Sequence, residues 1–433
     1  FQSLCYLLEY VNRHNSKLVL NIEEPIFENN SENMLLANHS LKQLNIIQDE
    51  NFKGKYSSVL NMLNNCSTNM GKRLFKDRLL HPSTNIIEIN KSYNLIQYFI
   101  DNKLSESIKN NLNSIRDFDK FKRDFIHNKV NPFDFFCIYK SLSLIKNIFG
   151  IVKEHKFVVE NVVGDVNRDI GLYCGEIIEK IEQTLDIEKI EQIKTCNFSK
   201  LFVNDTFDYN NLIFFKEKQF PFLDQLLYKY NNSIRQLNNT CDFFNKFLKK
   251  YEKKTKKEVK YFKIVHTTMG IRIIGTSRRC ALINTYLKNI DISNGYFKYL
   301  EDATYVKQSG NNKMILSTEL NKLYNVISNI KTSIVNEMTN CFNVFKDEFT
   351  NFFDKMSFIN NFITKIDVIV CNSLNAVKLN YCKPTIEKKE KSFVNVTGIR
   401  HCLIEKLQKK IIYVTNDFSL SKDDCNGFLL YGY

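Results

Sequence analysis

Two long stretches of the chain carry apolar residues at alternating steps of three and four, the spacing of one face of an α-helix. The first begins at Pro221, a residue favoured in the first turn of a helix, where its missing N–H is not needed. Its apolar positions are Leu223, Leu227, Tyr230, Ile234, Leu237, Cys241, Phe244, Leu248 and Tyr251. The second begins near Ser317 and has apolar positions at Leu320, Leu323, Ile327, Ile330, Ile334, Met338, Phe342, Phe345, Phe349, Phe352, Met356, Ile359, Ile363 and Ile366. The two matched faces predict an antiparallel pair of helices.

The residues between these two stretches follow a different pattern, which is typical of short β-strands. Val259–Val265 and Ile271–Gly275 are rich in β-branched and aromatic residues, and Gly270 lies where a turn is expected. Tyr296–Leu300 and Tyr305–Val306 are further strand candidates. The helical pair is therefore predicted to carry a small β-sheet at its far end.

Helical spacing also dominates the first third of the chain, so the protein is predicted to be mainly α. The expected helices there are 1–12, 60–80, 88–112, 115–129 and 132–148. Neither glycine nor proline interrupts Ser317–Tyr381, and an unbroken helix over that range would be about 100 Å long. At about 150 residues per domain, 433 residues suggest about three units.

Positive charge is concentrated in one short stretch, Lys246–Arg279. This stretch has nine lysines and three arginines against two glutamates, a net charge of +10, whereas the whole chain carries +14. A lysine-rich composition would raise the charge everywhere, but it does not explain a local excess. The concentration predicts a contact surface for a polyanion, most simply nucleic acid.

The 12 cysteines are scattered, and no two of them have the C-x-x-C spacing of a zinc site or a redox pair. We therefore expect reduced thiols and no metal site in an intracellular protein. No uninterrupted apolar segment of about 18 residues is present, so no membrane association is expected. The sequence does not distinguish nucleus, cytoplasm, organelle or viral replication site.

A motif near residue 70 resembles a known family. Residues 68–74 (TNMGKRL) and 79–82 (LLHP) are similar to the T-x-M-G-x-R-L…L-x-x-P signature in the lever, or core, domain of MutS-family mismatch repair proteins. Residues 34–38 (MLLAN) are similar to the strand-and-turn segment that precedes this helix in the family, but have Ala37 where aspartate is usual. The sequence also departs from the family pattern at Arg78, where tryptophan is usual, and at Ser83 after the proline. These departures suggest a divergent member.

Later segments extend the resemblance in the family's order. Residues 306–309 (VKQS) and 317–320 (STEL) are similar to the end of the family's clamp domain, and 398–405 (GIRHCLIE) to the entrance of its ATPase domain. Residues 413–417 (YVTND) resemble a segment whose aromatic residue helps to hold adenine. Residues 427–433 resemble the strand that leads into a Walker A loop, G-x-x-x-x-G-K-S/T.

The resemblance implies a fold and a division of the chain into segments. The fold is a helical lever domain with a long antiparallel helical clamp arm bearing a small β-sheet tip, followed by the first strands of a truncated α/β ATPase domain. The implied segments are 1–219 (lever or core domain, first part), 220–330 (clamp domain with the β tip), 331–380 (returning long helix of the lever) and 381–433 (start of the ATPase domain). Since the chain begins at Phe1 and stops within the would-be phosphate loop, we expect a segment of a longer protein.

The resemblance also implies a function, which is to grip the backbone of double-stranded DNA in a homodimer or heterodimer with another MutS-family chain. The implied DNA-binding residues are Lys249, Lys250, Lys253, Lys254, Lys256, Lys257, Lys260, Lys263, Arg272, Arg278 and Arg279. We expect this chain to be no enzyme by itself and to bind no cofactor, whereas its intact parent would be a DNA-dependent ATPase that uses ATP and Mg²⁺. The residues that would hold the nucleotide in the parent are Tyr413, Asn416 and Gly432. The alternative is a helical scaffold whose basic tip binds an acidic protein.

Overall fold

The structure, a computed structural model, is mostly helical with two small antiparallel sheets, which confirms the mainly α fold class. It describes residues 2–14, 16–19, 22, 33–34, 36–48, 53–164, 169–193, 213–251, 261–267, 270–287, 295–408, 412–421 and 427. The helices, numbered in chain order, are α1 (Gln2–His14), α2 (Ser16–Val19), α3 (Asn38–Gln43), α4 (Val59–Leu63), α5 (Asn69–Leu80), α6 (Ile86–Asp101), α7 (Leu104–Leu112), α8 (Phe118–Ile126), α9 (Pro132–Lys153), α10 (Lys156–Val162), α11 (Ile170–Thr184), α12 (Ile187–Gln192), α13 (Pro221–Lys249), α14 (Ser277–Tyr286), α15 (Thr318–Phe349), α16 (Phe353–Leu379) and α17 (Ile404–Leu407). The strands are β1 (Phe262–Thr267), β2 (Gly270–Thr276), β3 (Thr304–Ser309), β4 (Asn312–Leu316), β5 (Val394–Ile399) and β6 (Asn416–Leu420).

The chain forms two compact units. The first consists of Phe1–Ser67, Gly71–Ser105 and Val368–Tyr433, and the second consists of Thr68–Met70 and Glu106–Asp367. The four segments expected from the sequence, with boundaries near residues 219, 330 and 380, stay a prediction.

In the second unit, α13 and α15 pack against each other along their apolar faces, and we call this pair the arm. The two helices run in opposite directions. Asp224 of α13 lies near Cys341 of α15 and contributes to raising the pKa of that thiol. Further along α13, Cys241 lies near Tyr324 of α15 and contributes to raising the pKa of its hydroxyl. The predicted antiparallel pair is thus confirmed, because advancing along α13 moves backwards along α15.

A cluster of phenylalanines forms the core at the base of the arm. The ring of Phe135 in α9 meets those of Phe342, Phe345 and Phe349 in α15 at centroid distances of 5.8, 4.9 and 5.0 Å. The near-perpendicular geometry of these pairs is the arrangement that aromatic quadrupoles favour. Phe121 in α8 joins the cluster at 5.5 Å from Phe135.

Helix α9 is, by length and composition, apolar enough to cross a membrane. Its apolar side chains are buried inside the second unit, where it packs against α10, α11 and α12. The high hydropathy of α9 is therefore explained by its burial, as expected for the central helix of a core.

The second stretch is not one continuous helix. A single 3₁₀ turn, Thr350–Phe352, separates α15 from α16. The hydroxyl of Thr350 donates to the carbonyl of Asp347 at 2.6 Å, and such a local side-chain bond competes with regular α-helical pairing. The possible length of about 100 Å is therefore divided between two helices.

Three other expected helices are shorter or divided in the structure, because local caps end them. The expected helix 60–80 is α4 and α5, separated by residues 64–68, and the expected helix 88–112 is α6 and α7, separated at Lys103, whose φ is +53°. The expected helix 115–129 is confined to α8, because the Asp117 side chain caps its N-terminus and Asn128 follows it at φ +54°.

The expected strand at Tyr296–Leu300 is wrong, because Phe297–Tyr299 form a 3₁₀ turn.

The far end of the arm carries a four-stranded antiparallel sheet with the order β1-β2-β4-β3. Together with α14 we call this sheet the tip. Gly270 opens β2 at a φ of +93°, a conformation that side-chain-bearing residues rarely adopt. The carboxylate of Asp302 accepts hydrogen bonds from the backbone N–H and the hydroxyl of Thr318, so that the chain leaves the tip directly into α15.

The first unit contains a core formed by Cys66, Phe75, Val368 and Cys371, which brings α5 and the end of α16 together. It also contains the two-stranded sheet β5-β6. The backbone N–H of Gly398, at φ +62°, donates to the carboxylate of Asp417 where the register of the two strands shifts.

Candidate nucleic-acid interface

The structure places the described cations of the basic stretch around the tip. Lys249 and Lys250 are exposed at the C-terminal end of α13, Lys263 is exposed on β1, and Arg278 is exposed in the first turn of α14. Arg272 on β2 and Arg279 on α14 are partly buried. Lys253, Lys254, Lys256, Lys257 and Lys260 lie outside the described residues.

The register of the sheet places two of these cations on one face. Lys263 pairs with Ile274, and Val265 pairs with Arg272. Directly opposed residues of an antiparallel pair share a face, so Lys263 and Arg272 are diagonal neighbours, typically about 7–8 Å apart. This face of the sheet therefore carries two positive charges on neighbouring strands.

The start of β1 is held against the end of α13 by one side chain. The Asn245 amide donates to the Phe262 carbonyl at 3.2 Å and accepts from the Phe262 N–H at 2.7 Å, so it imitates the pairing of a neighbouring strand. The ring of Phe262 packs on Phe244 at a centroid distance of 6.0 Å. These contacts keep Lys263 at the same end of the arm as Lys249.

Both partly buried arginines stack on tyrosine rings. The guanidinium carbon of Arg272 lies 4.5 Å from the ring centroid of Tyr324, and that of Arg279 lies 4.9 Å from that of Tyr261. Arg279 also donates to the Tyr261 carbonyl at 3.4 Å. Burial lowers the pKa of Arg272 from its ordinary value, but an arginine in this range remains charged at neutral pH. The tip therefore presents exposed lysines beside arginines that are held on tyrosine rings.

Sequence reasoning missed the residues that hold these cations in place, above all Asn245 and Tyr324. Asn245 directly follows Phe244 of the predicted apolar face, and Tyr324 directly follows Leu323. A polar group adjoining a buried face is the signal that could have identified them, because a buried polar atom requires a partner.

The described residues expected to hold a nucleotide are part of a hydrogen-bonded segment in the first unit. The hydroxyl of Tyr413 accepts from the His401 backbone N–H at 3.0 Å, and the Tyr413 ring is partly buried. Asn416 is exposed at the start of β6, and Gly432 lies outside the described residues. A partly exposed aromatic ring is suited to holding a planar base, and nucleotide binding by Tyr413 and Asn416 stays a prediction.

Arg400 connects this segment to the end of α16. Its guanidinium donates to the carbonyls of Leu379 and Asn380 at 3.1 and 2.7 Å, and it pairs with Glu405 at 3.1 Å. The last carbonyls of a helix have no partner within the helix and carry partial negative charge, which a guanidinium satisfies. Within the described part of the chain, no group of three or more histidine, cysteine or acidic side chains is placed to hold a metal ion.

Comparison with known proteins gives one family match. The family model MutS domain III matches residues 39–373. Relatives that are similar over 96% of this chain include a putative DNA mismatch repair protein mutS homolog of Acanthamoeba polyphaga mimivirus, at 24% identity, and the mitochondrial DNA mismatch repair protein mutS homolog of Sarcophyton glaucum, at 23%. The DNA mismatch repair protein MutS of Macrococcus caseolyticus is 23% identical over 96% of the chain. The chain spans 37%, 40% and 44% of these three proteins, respectively, which is less than half of each.

Proposed function

Because this chain belongs to the MutS family of DNA mismatch repair proteins, we propose that its arm and tip grip the backbone of double-stranded DNA without reading base sequence. The observation that carries this proposal is the gathering of Lys249, Lys250, Lys263 and Arg278, all exposed, at one end of an antiparallel helical pair. Lysine and arginine bind phosphates through charge and release the condensed counterions, and such contacts carry no information about the bases.

In the whole protein, this grip would serve a larger cycle. We infer that the parent acts as a homodimer or heterodimer of MutS-family chains and is a DNA-dependent ATPase. ATP with Mg²⁺ would supply the chemical step, and Tyr413 and Asn416 would hold the base. Arg400 would tie the nucleotide end to α16, so that nucleotide-driven movement reaches the arm.

The test compares duplex binding of the wild-type chain with that of a variant in which the four exposed cations at the tip end of the arm, Lys249, Lys250, Lys263 and Arg278, are changed to glutamate. The readout is the dissociation constant for a mixed-sequence duplex at several salt concentrations. A control variant changes four exposed lysines outside the basic stretch, Lys76, Lys91, Lys109 and Lys120, to glutamate. Each variant loses the same net charge. A difference in affinity between them therefore shows that the position of the charges matters.

We expect the tip variant to lose at least about 100-fold in affinity at low salt and to have a shallower slope of log affinity against log salt, since each lost phosphate contact reduces the slope by about one. The control is expected to lose much less. Equal effects of the two variants, or an unchanged salt slope in the tip variant, would count against the proposal. Failure to bind duplex together with saturable binding to an acidic protein would favour the scaffold alternative.

A further inference from the structure

The tip sheet contains a gap that a side chain from the arm fills. Strands β2 and β4 pair directly at three positions, Ile274 with Met314, Gly275 with Lys313 and Thr276 with Asn312. The next pair in this register would be Ile273 with Ile315, but the Tyr324 hydroxyl lies between them. It accepts from the Ile273 N–H at 3.0 Å and donates to the Ile315 carbonyl at 3.3 Å.

This arrangement fixes the Tyr324 ring from both ends. The residue is 2% exposed, its backbone belongs to α15, and its hydroxyl is bound by two strands of the tip. The ring cannot swing away from this position without breaking both hydrogen bonds inside the protein, where an unpaired backbone group costs about 1–3 kcal/mol. Tyr324 is therefore a rigid element at the junction of arm and tip.

The guanidinium of Arg272 lies on this fixed ring. Its Nη1 donates to the Ile271 carbonyl at 2.8 Å, and its Nε is buried without a hydrogen-bond partner among the described residues. The cation is thus partly desolvated, held over the ring, and left with one donor unpaired. An anion that reached the guanidinium would meet a donor whose orientation is already set, so little side-chain entropy would be lost on binding.

We propose that Tyr324 is a positioning residue for DNA binding, and that it holds Arg272 as a preformed site for one backbone phosphate. The inference rests on the proposed function and extends it, since it distinguishes one oriented contact from the exposed lysines around it. Arg279 also lies over a tyrosine ring, that of Tyr261. Each guanidinium donates to a backbone carbonyl, Arg272 to that of Ile271 and Arg279 to that of Tyr261.

The experiment is a double-mutant cycle on duplex binding with the variants Arg272→Met, Tyr324→Leu and the pair. A fourth variant, Tyr324→Phe, keeps the ring under Arg272 but removes the hydroxyl. Arg235→Met serves as the matched control, because Arg235 is exposed on α13 in the middle of the arm. For each variant the affinity is measured over a range of salt concentrations, and circular dichroism checks the fold.

If Tyr324 positions Arg272, each single variant lowers the salt slope by about one, and the pair lowers it by no more than either alone. Tyr324→Phe removes the two bonds that hold the ring in place but keeps the ring under Arg272, so it is expected to speed amide exchange at Ile273 and to lower the salt slope by less than Tyr324→Leu does. A purely structural role for Tyr324 would instead give additive losses in the pair, which would overturn the proposal.

Two further results separate this inference from the proposed function. In the first, the wild-type chain binds duplex, but Arg272→Met and the Arg235→Met control have the same salt slope. This result overturns the inference and leaves the proposed function intact. Absence of duplex binding by the wild-type chain overturns both. If Tyr324→Leu does not fold, the comparison of Arg272→Met with Arg235→Met still decides whether the phosphate site exists. The double-mutant cycle is then measured with Tyr324→Phe in place of Tyr324→Leu, and additive losses again overturn the positioning role.

Discussion

Single side chains replace backbone pairing at two points of the tip. Asn245 extends the hydrogen-bonding edge of β1 from α13, and Tyr324 bridges β2 and β4 from α15. Each helix of the arm therefore reaches the sheet through one polar residue beside its apolar face. A small sheet has few buried apolar contacts of its own, so these bonds contribute strongly to its order.

Gly275 provides a test of packing at the level of one methyl group. A Cβ at this position would lie 2.2 Å from the Phe262 ring, which covers the glycine across the strand pair. We expect Gly275→Ala to destabilise the tip by about 1–3 kcal/mol, because the ring must leave its place against Phe244. Native-state hydrogen exchange of the β1 and β2 amides measures this loss.

The matched control is Gly295→Ala, since an added Cβ there meets no atom within 4 Å. Its effect should stay within about 0.5 kcal/mol. Exchange rates in β1 and β2 that respond alike to both substitutions would show that the close contact between Gly275 and Phe262 is not decisive.

For single residues, the sequence predicted which cations belong to the candidate interface, but not which side chains contact them. The positive residues of the tip could be listed from composition, since charge density is visible along a chain. The contact of Tyr324 with Ile273 joins residues 51 positions apart and depends on how β4 leads into α15. Residue spacing alone carries no such information.

Among the elements, α5 shows how a distant residue determines where a helix begins. The buried carboxylate of Asp367, 1% exposed, accepts from the backbone N–H of Thr68 at 2.8 Å and from its hydroxyl at 2.7 Å. A carboxylate at a helix N-terminus is stabilised by the free N–H groups there. The start of α5 is thus bound to α16 within the second unit.

We expect Thr68→Val to lower the free energy of unfolding by about 1–3 kcal/mol, because a buried carboxylate loses one of its hydrogen bonds while the side-chain volume is kept. Urea denaturation followed by circular dichroism, together with amide exchange in α5, measures the change. Thr332→Val is the control, since the Thr332 hydroxyl bonds an adjacent turn on the exposed side of α15. A loss as large in Thr332→Val would contradict the special role of the bond to Asp367.

The long helices could be predicted because burial repeats with the helical period over many turns. Their interruptions could not be placed, since the 3₁₀ turn after Phe349 and the break at Lys103 depend on local caps rather than on the apolar pattern. The sheet was predicted in part. β1 and β2 follow β-branched residues, whereas Phe297–Tyr299 has strand-like composition but forms a 3₁₀ turn.

For the whole molecule, the reactivity of the cysteine thiols gives an independent test of which parts of the protein are buried. Burial raises the pKa of Cys174 and Cys341 to about 12 and that of Cys280 to about 11. Cys5 and Cys382 are exposed. Since the thiolate is the nucleophile, a raised pKa leaves about one thiol in a thousand or fewer reactive at pH 8.

Alkylation with iodoacetamide at pH 8, followed by mass spectrometry, should therefore label Cys5 and Cys382 well before Cys174, Cys280 and Cys341. Raising the pH to 9 should leave the three buried thiols largely unmodified, because their pKa values remain well above that pH. In urea all five should react, which controls for reagent access. Labelling of Cys174 at the rate of Cys382 in the native protein would mean that α11 opens readily.

The tip also has a topological property with consequences beyond its charge. The chain enters it from the end of α13 and leaves it into the start of α15, and the bonds of Asn245 to Phe262 and of Asp302 to Thr318 secure the two connections at the same end of the arm. In the sequence the tip lies between the two helices of a hairpin, and both of its ends lie at one end of the arm. Segments whose two ends lie together can lengthen, shorten or be exchanged with little disturbance to the core that carries them. The tip can therefore change in length or sequence while the helices below it stay the same.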